Sequence, residues 1–230
     1  MSQRPAYSYQ CACGDWLNHD RIFAGRLVIC PKCADPVITP KCSGEMASKL
    51  DAGMELKTQR LVLRLATPGD WKALLPIVSE QQNYRYELCA PETRAQLIRN
   101  LKRTRFPVGF RKSRHLMFLA SLRSDGAVIG VLHLKLNDNH LEGYVGLMFH
   151  HPFHGEGFGT ESVRELVWFG FKRLGLHRIS SSCDSQNHAC IRVLEKTGFQ
   201  HEGTMRHAAY HHERGWVDIP SFAQLNPADL

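Results

Sequence analysis

Three glycines stand in alternate positions in His154-Gly155-Glu156-Gly157-Phe158-Gly159-Thr160. Ahead of them is a strand-like run, Tyr144 to Phe149. Behind them Val163, Leu166, Val167, Gly170 and Leu174 recur on one face at helical spacing. Glycine lets the backbone curl and lets a ligand approach closely. The first N–H groups of a helix have no partners within it. Together they make a cradle for a diphosphate, aided by the helix dipole. No Gly-Lys-Ser/Thr follows, which excludes a Walker loop, and the third glycine comes too early for a Rossmann fingerprint. An ordinary tight turn between strand and helix is the competing reading. A branched side chain at Gly157 is expected to fill the cradle and leave the fold intact.

The second chemical cluster is near the start of the chain. Cys11-Ala-Cys13 and Cys30-Pro-Lys-Cys33 are two short thiol pairs, with Gly14 and Pro31 suited to turns. Four convergent thiolates satisfy tetrahedral zinc. A segment this short cannot build an adequate core, so a structural metal would supply its folding energy. Iron in the same cage, two disulfides or four free thiols are the alternatives. The absence of a secretion signal disfavours disulfides. Cys42 has no paired partner and is a spare. Residues 1–43 therefore resemble a zinc ribbon, followed by a Gly/Ser-containing linker over 44–55 with at most one helical turn.

These clusters need elements to position them. The 230 residues are 43% hydrophobic, with room for one full domain and a small second one. No apolar run is long enough to span a membrane, and Met1-Ser-Gln-Arg-Pro opens no signal peptide, so a cytoplasmic location is expected. The net charge of +7 lies wholly beyond residue 55, since residues 1–55 hold equal numbers of acids and bases. That excess favours an acidic ligand such as a phosphorylated cofactor. Arg99, Lys102, Arg103, Arg105, Arg111, Lys112 and Arg114 form a basic run without an acid. It can serve an acidic substrate, a cofactor phosphate or RNA, although a solvated helix face is the simpler reading and nucleic acid is not favoured.

Thr58 to Arg64 alternates as a strand. Thr67-Pro-Gly-Asp70 caps a helix reaching Glu80, and a second helix starts near Pro91. Strands are expected at 115–122, 127–136 and 141–149, leading into the glycine loop and its helix, which Gly175 ends. A strand at 177–183, a helix from Asn187 to Lys196, and strands at 199–206 and 215–223 complete the order.

This order resembles the GCN5-related N-acetyltransferase superfamily (GNAT), in the branch of the ribosomal-protein N-terminal acetyltransferases. Four landmarks over about 56–224 carry the resemblance: the opening strand Thr58 to Arg64, the loop His154 to Thr160, the stretch Asn187 to Phe199, and the closing strands with His201 to Arg206 and Asp218. The resemblance implies an α/β fold: a mixed, mostly antiparallel sheet flanked by helices, with residues 56–230 as the acetyltransferase domain. It implies acetyl-CoA as co-substrate and a primary amine as acceptor, either a protein N-terminus or a small molecule. The backbones of Leu147, Met148 and Phe149 would hold the pantetheine arm. His154, Gly155, Glu156, Gly157, Phe158, Gly159 and Thr160 would hold the pyrophosphate, and Asn187 would touch the pantetheine. Leu194 stands where many members carry a proton-donating tyrosine, and Cys190 where this branch often has serine. The amine must be neutral to attack, so a base is needed. Glu87, Glu142 and His151 are the candidates, with plain surface roles as the alternative. The competing function is a zinc-ribbon module binding nucleic acid or protein, whose acetyltransferase-like domain only senses acyl-CoA.

Overall fold

The computed structural model describes residues 54–103, 115–137 and 142–229, with four short strands in the segment before them. Those strands are β1 (Ser8–Gln10), β2 (Trp16–Asn18), β3 (Leu27–Ile29) and β4 (Pro36–Ile38). They pair as two antiparallel ladders, β1 with β2 and β3 with β4. Cys11, Cys13, Cys30, Cys33 and Cys42 lie outside the described residues. So do most of the linker and Arg105, Arg111, Lys112 and Arg114 of the basic run.

The main domain begins earlier than its opening strand. Glu55–Lys57 forms β5, antiparallel to β6 (Leu61–Leu65), so Glu55, expected as the end of the linker, belongs to a strand. Packing explains the difference: Leu56 is buried in the core while Glu55 and Lys57 face outward. The Thr58 hydroxyl closes the turn by accepting from the Leu61 N–H at 2.9 Å.

Helix α1 (Trp71–Ser79) follows a capping box in which the Asp70 carboxylate accepts from the Thr67 N–H and hydroxyl. Helix α2 (Arg94–Arg103) starts after Pro91, because Thr93 and Gln96 form the cap: Gln96 Oε1 accepts from the Thr93 N–H and hydroxyl. Then come β7 (His115–Leu122), β8 (Val128–Leu136), β9 (Glu142–Phe149), α3 (Phe158–Lys172), β10 (Arg178–Ser182) and α4 (His188–Lys196). The last hairpin is longer than its sequence suggests, with β11 at Gln200–His211 and β12 at Gly215–Leu225. An irregularity between Met205 and Ala209 interrupts its ladder. There His207 turns to φ 48 and its N–H donates to Asp218 Oδ1.

Eight strands form one sheet in the order β11-β12-β10-β9-β8-β7-β6-β5. Only β9 and β10 run parallel; every other neighbouring pair is antiparallel. Both faces are covered. On β7, Leu116, Phe118 and Ala120 join a core with Val163, Leu166 and Phe169 of α3 and Leu194 of α4. The alternate residues Met117 and Leu119 join a second core with Leu74 and Ile77 of α1 and Leu97 and Leu101 of α2. Gly170 lets α3 lie close to the sheet, since a Cβ there would stand 2.6 Å from Ile179 Cδ1.

One polar pair interrupts the second face. His115 Nε2 and His133 Nδ1 lie 2.7 Å apart on β7 and β8. Burial, together with the Lys135 ammonium, pushes both imidazoles down, His115 to about 4 and His133 to about 3. Burial and His115 act ahead of Lys135 on His133. A histidine depressed in the folded state is neutral there but takes a proton in the unfolded chain below about 6.5. The pair's contribution is therefore complete above that value and is lost as pH falls toward 4. The melting temperature is expected to fall from pH 7 to pH 4.5, and less steeply in His133→Gln. Parallel melting curves across that range would remove the pair as an acid-sensitive element.

Candidate functional site

The parallel pairing of β9 with β10 covers only Glu142 to Tyr144 against Arg178 to Ser180. Beyond it, β9 continues from Val145 to Phe149 paired with β8 alone. Ser181 Oγ donates to the Val145 carbonyl, and the Tyr144 hydroxyl bonds Ser182, at the point where the strands part. The result is a crevice at the carboxyl ends of two parallel strands, the usual ligand position in such sheets.

The glycine loop closes one end of this crevice. Gly155 and Gly157 have φ of 83° and 82°, the left-handed region that side chains disfavour. Gly157 is the N-cap of α3 and no side chain caps the helix, so its first N–H groups are available to an anion. Gly159 is different: a Cβ there would stand 3.3 Å from both Leu147 Cδ1 and Val193 Cγ2. It lets the helix start fit between β9 and α4. His154 does not extend toward the crevice as a free side chain, because its Nε2 bonds the Phe149 carbonyl at 2.7 Å. That bond uses one lone pair of a backbone group expected to serve the pantetheine arm.

The loop is also fastened from outside. Arg60, just before β6, donates from Nη1 to the Glu156 carbonyl at 3.0 Å and from Nε to Glu161 Oε2 at 2.8 Å. Its guanidinium lies 4.3 Å from the Phe158 ring centroid. Glu161 Oε1 also accepts from the Thr58 hydroxyl and the Arg60 N–H. Burial pushes the Glu161 carboxyl up, but these bonds hold it below the ordinary range. Arg60 and Thr58 were read from the sequence only as strand residues.

Three titratable groups from distant segments influence one another near the end of β10. Cys183 follows β10 and Cys190 lies in the first turn of α4, and each thiol shifts the ionisation of the other. The Glu87 carboxylate lies close enough to act on both. Burial pushes Glu87 above the ordinary carboxylate range. Cys190 lowers Cys183, and Cys183, with burial, pushes Cys190 well up. Asn187 is the N-cap of α4, its Oδ1 accepting from the Cys190 N–H at 3.0 Å. Leu194 is fully buried in the core.

The hairpin tip and the segment before Glu87 complete this end. Arg214 pairs with the buried Asp184, donates to Gln186 Oε1 at 3.0 Å, and lies 5.5 Å from the Tyr86 ring centroid. The other two candidate bases are elsewhere. Glu142 is exposed at the amino end of β9, accepting from Asn137 Nδ2 at 3.0 Å. His151 is exposed beside His154 and lines a cavity of about 460 Å³ with Glu80, Gln81, Gln82, His150 and Pro152. Among the described residues, no group of three or more His, Cys, Asp or Glu side chains is placed to hold a metal. No helix among them is long and apolar enough to cross a membrane.

A family model described as an acetyltransferase (GNAT) domain matches residues 60–200. The chain belongs to the GNAT acetyltransferase family. It is an N-acetyltransferase. A relative, the uncharacterized N-acetyltransferase YoaA of Bacillus subtilis (strain 168), is 30% identical over 157 residues, covering 67% of this chain and 88% of the relative. Two solved structures share the fold at low identity. RimL, the ribosomal L7/L12 alpha-N-protein acetyltransferase in complex with coenzyme A, superposes with TM-score 0.69 at 20% identity, over 76% of this chain and 100% of that one. The spermidine N-acetyltransferase from Vibrio cholerae in complex with CoA and spermine superposes with TM-score 0.64 at 18% identity, over 72% and 95%.

Gly157 has a φ of 82°, so a branched residue there, expected to leave the fold largely intact, also strains the backbone. Valine there adds backbone strain of about 1–2 kcal/mol to any loss of binding. Asparagine tolerates this conformation, and its side chain would occupy the N–H groups of the cradle. Gly157→Asn is expected to keep the melting temperature of the wild type and to weaken acetyl-CoA binding about tenfold or more, a change of about 1.4 kcal/mol. Gly157→Val is expected to lose both. Calorimetry and thermal melting of the two variants decide the matter; normal affinity in Gly157→Asn would remove the loop from the donor site.

Proposed function

We propose that this protein transfers the acetyl group of acetyl-CoA to a primary amine, with Glu87 as the base. The observation that carries the reading is the uncapped start of α3 beside the point where β9 and β10 part; Glu87 is chosen as base because burial raises it and its charge acts on Cys183 and Cys190. The N–H groups of residues 155–160 hold the pyrophosphate. The free edge of β9 at Leu147, Met148 and Phe149 holds the pantetheine arm, with Asn187 facing it from α4.

The chemistry then follows from the charges. The ammonium form of the acceptor must lose a proton before its lone pair can attack the thioester carbon. Glu87, raised by burial, is matched to that task better than an ordinary carboxylate. As the new C–N bond forms and the C–S bond breaks, the departing sulfur needs a proton. Leu194 has none to give, so Cys190 or solvent supplies it. The acceptor is a protein N-terminus or a small amine; RimL and the spermidine acetyltransferase represent these two classes. A second reading, an acyl-CoA sensor with weak catalysis, draws its support from the buried Leu194. Release of free CoA thiol against a panel of amines and N-terminal peptides separates the two.

Glu87 must be ionised to act, so activity falls as pH drops through its raised value. The titrating groups around it are Tyr84 and Cys89 on its own segment and Cys183 and Cys190 opposite. The acidic limb of the kcat profile is expected above the range of a solvent-exposed carboxylate. Glu87→Gln should remove that limb and cost about 10²–10⁴-fold in kcat, with acetyl-CoA affinity retained. A variant that keeps the limb excludes Glu87 as the base.

For the N-terminal segment we propose a structural zinc held by Cys11, Cys13, Cys30 and Cys33. Each pair falls in the connection of one antiparallel ladder, residues 11–15 between β1 and β2 and residues 30–35 between β3 and β4. Four thiolates leave no open position for catalysis. Elemental analysis is expected to find one zinc per chain, lost in Cys30→Ser and kept in Cys42→Ser. Acetyl-CoA binding should persist after chelation. A metal-free wild type ends the ribbon reading.

A further inference from the structure

Glu161 is the acidic residue in the first turn of α3, and no side chain caps that helix. A side chain on a helix leans back toward the helix start, and a carboxylate is attracted to the N–H groups there. Left to itself, Glu161 would compete with a bound anion for those groups. In the structure it is turned away from them. Glu161 Oε1 accepts from the Thr58 hydroxyl at 2.6 Å and from the Arg60 N–H at 2.7 Å, and Oε2 accepts from Arg60 Nε at 2.8 Å. Both oxygens are thus engaged on the side of the β5–β6 turn. The same guanidinium also grips the glycine loop, since Arg60 Nη1 donates to the Glu156 carbonyl at 3.0 Å. The described backbone contains no cis peptide. In a trans peptide the carbonyl and the N–H that follows it point in opposite directions. Holding the Glu156 carbonyl toward Arg60 therefore turns the Gly157 N–H the other way. Stacking on Phe158, 4.3 Å from the ring centroid, keeps the guanidinium in place for both tasks.

We infer that Arg60 is a positioning residue for the diphosphate of acetyl-CoA, acting through Glu156 and Glu161 rather than by touching the cofactor. The inference rests on the proposed acetyl-CoA site. Two effects add. Arg60 fixes the peptide between Glu156 and Gly157, so the Gly157 N–H is set before the ligand arrives and less binding energy goes into ordering the loop. Arg60 also offsets the charge of Glu161, which would otherwise repel a diphosphate at the same helix end. The two effects come apart chemically. Removing the guanidinium loses both. Removing the Glu161 charge as well restores the second and leaves the first lost.

The experiment is calorimetry of the full chain with acetyl-CoA, comparing wild type, Arg60→Met, Arg60→Met/Glu161→Gln and Arg60→Lys. Arg60→Met is expected to weaken binding about tenfold, because Glu161 stays anionic and is free to turn to the helix start. The double variant is expected to bind about threefold tighter than Arg60→Met, since glutamine keeps an acceptor for Thr58 and carries no charge. A merely structural role gives the opposite sign: Glu161→Gln weakens the remaining tie to the β5–β6 turn, so the double variant would bind no better than Arg60→Met. Arg60→Lys guards against a methionine variant that does not fold. It keeps the charge, but a single ammonium cannot reproduce the fork that meets the Glu156 carbonyl and the Glu161 carboxylate together. It is expected to melt near the wild type and to bind more weakly than it, but tighter than Arg60→Met. Undiminished affinity in Arg60→Met or Arg60→Lys overturns the inference, as does a double variant no tighter than Arg60→Met. A wild type that does not bind acetyl-CoA overturns the proposed site itself, and the inference with it.

Discussion

One short stretch of parallel pairing governs the molecule. In a sheet that is otherwise antiparallel, β9 and β10 run side by side for three residue pairs and then separate. Parallel strands need a crossover, and α3 is that crossover. Its start must therefore lie at the carboxyl end of β9, which is where the glycine loop emerges. The same parallel alignment puts the end of β10, and hence Cys183 and the cap of α4, at the same edge. Unpaired backbone, helix N-terminus and thiols are brought together by one topological choice. Antiparallel pairing at this position would have placed the two strand ends at opposite edges.

The parts of the fold that were legible were local. The glycine loop, the Thr67–Asp70 capping box, the Asn187 cap and the alternation of β7 and β8 each depend on neighbours within a few residues, and each appears where the spacing predicts. What could not be read was long in range. Arg60 meets Glu156 and Glu161 across about a hundred residues, and nothing near either end signals the meeting. β5 was hidden because three residues are too few to show a period, and its reason for existing, the burial of Leu56, is tertiary.

The candidate site divides along the same line. The residues expected to hold the cofactor lie in two contiguous motifs, so their spacing alone could suggest the role. The base was a choice among Glu87, Glu142 and His151, each able to take a proton and each unremarkable in its local context. The topology gives each its place: Glu142 at the amino end of β9, and His151 just after the carboxyl end, in a cavity with Glu80 and His150. Cys183 was overlooked because a thiol at a strand end has no motif of its own; its meaning comes from Cys190.

The β11–β12 hairpin has a consequence in time. Arg214, which pins Asp184 and lies over Tyr86, is near the end of the chain, and Asn226 binds the carbonyl of Leu176 through its side chain and that of His177 through its N–H. During synthesis the glycine loop and its helix leave the ribosome while the groups that brace the opposite end are still unmade. The core under α3 includes Phe199 and Phe222 from the last third of the chain, so the helix that follows the glycine loop gains its full packing only when β12 is in place.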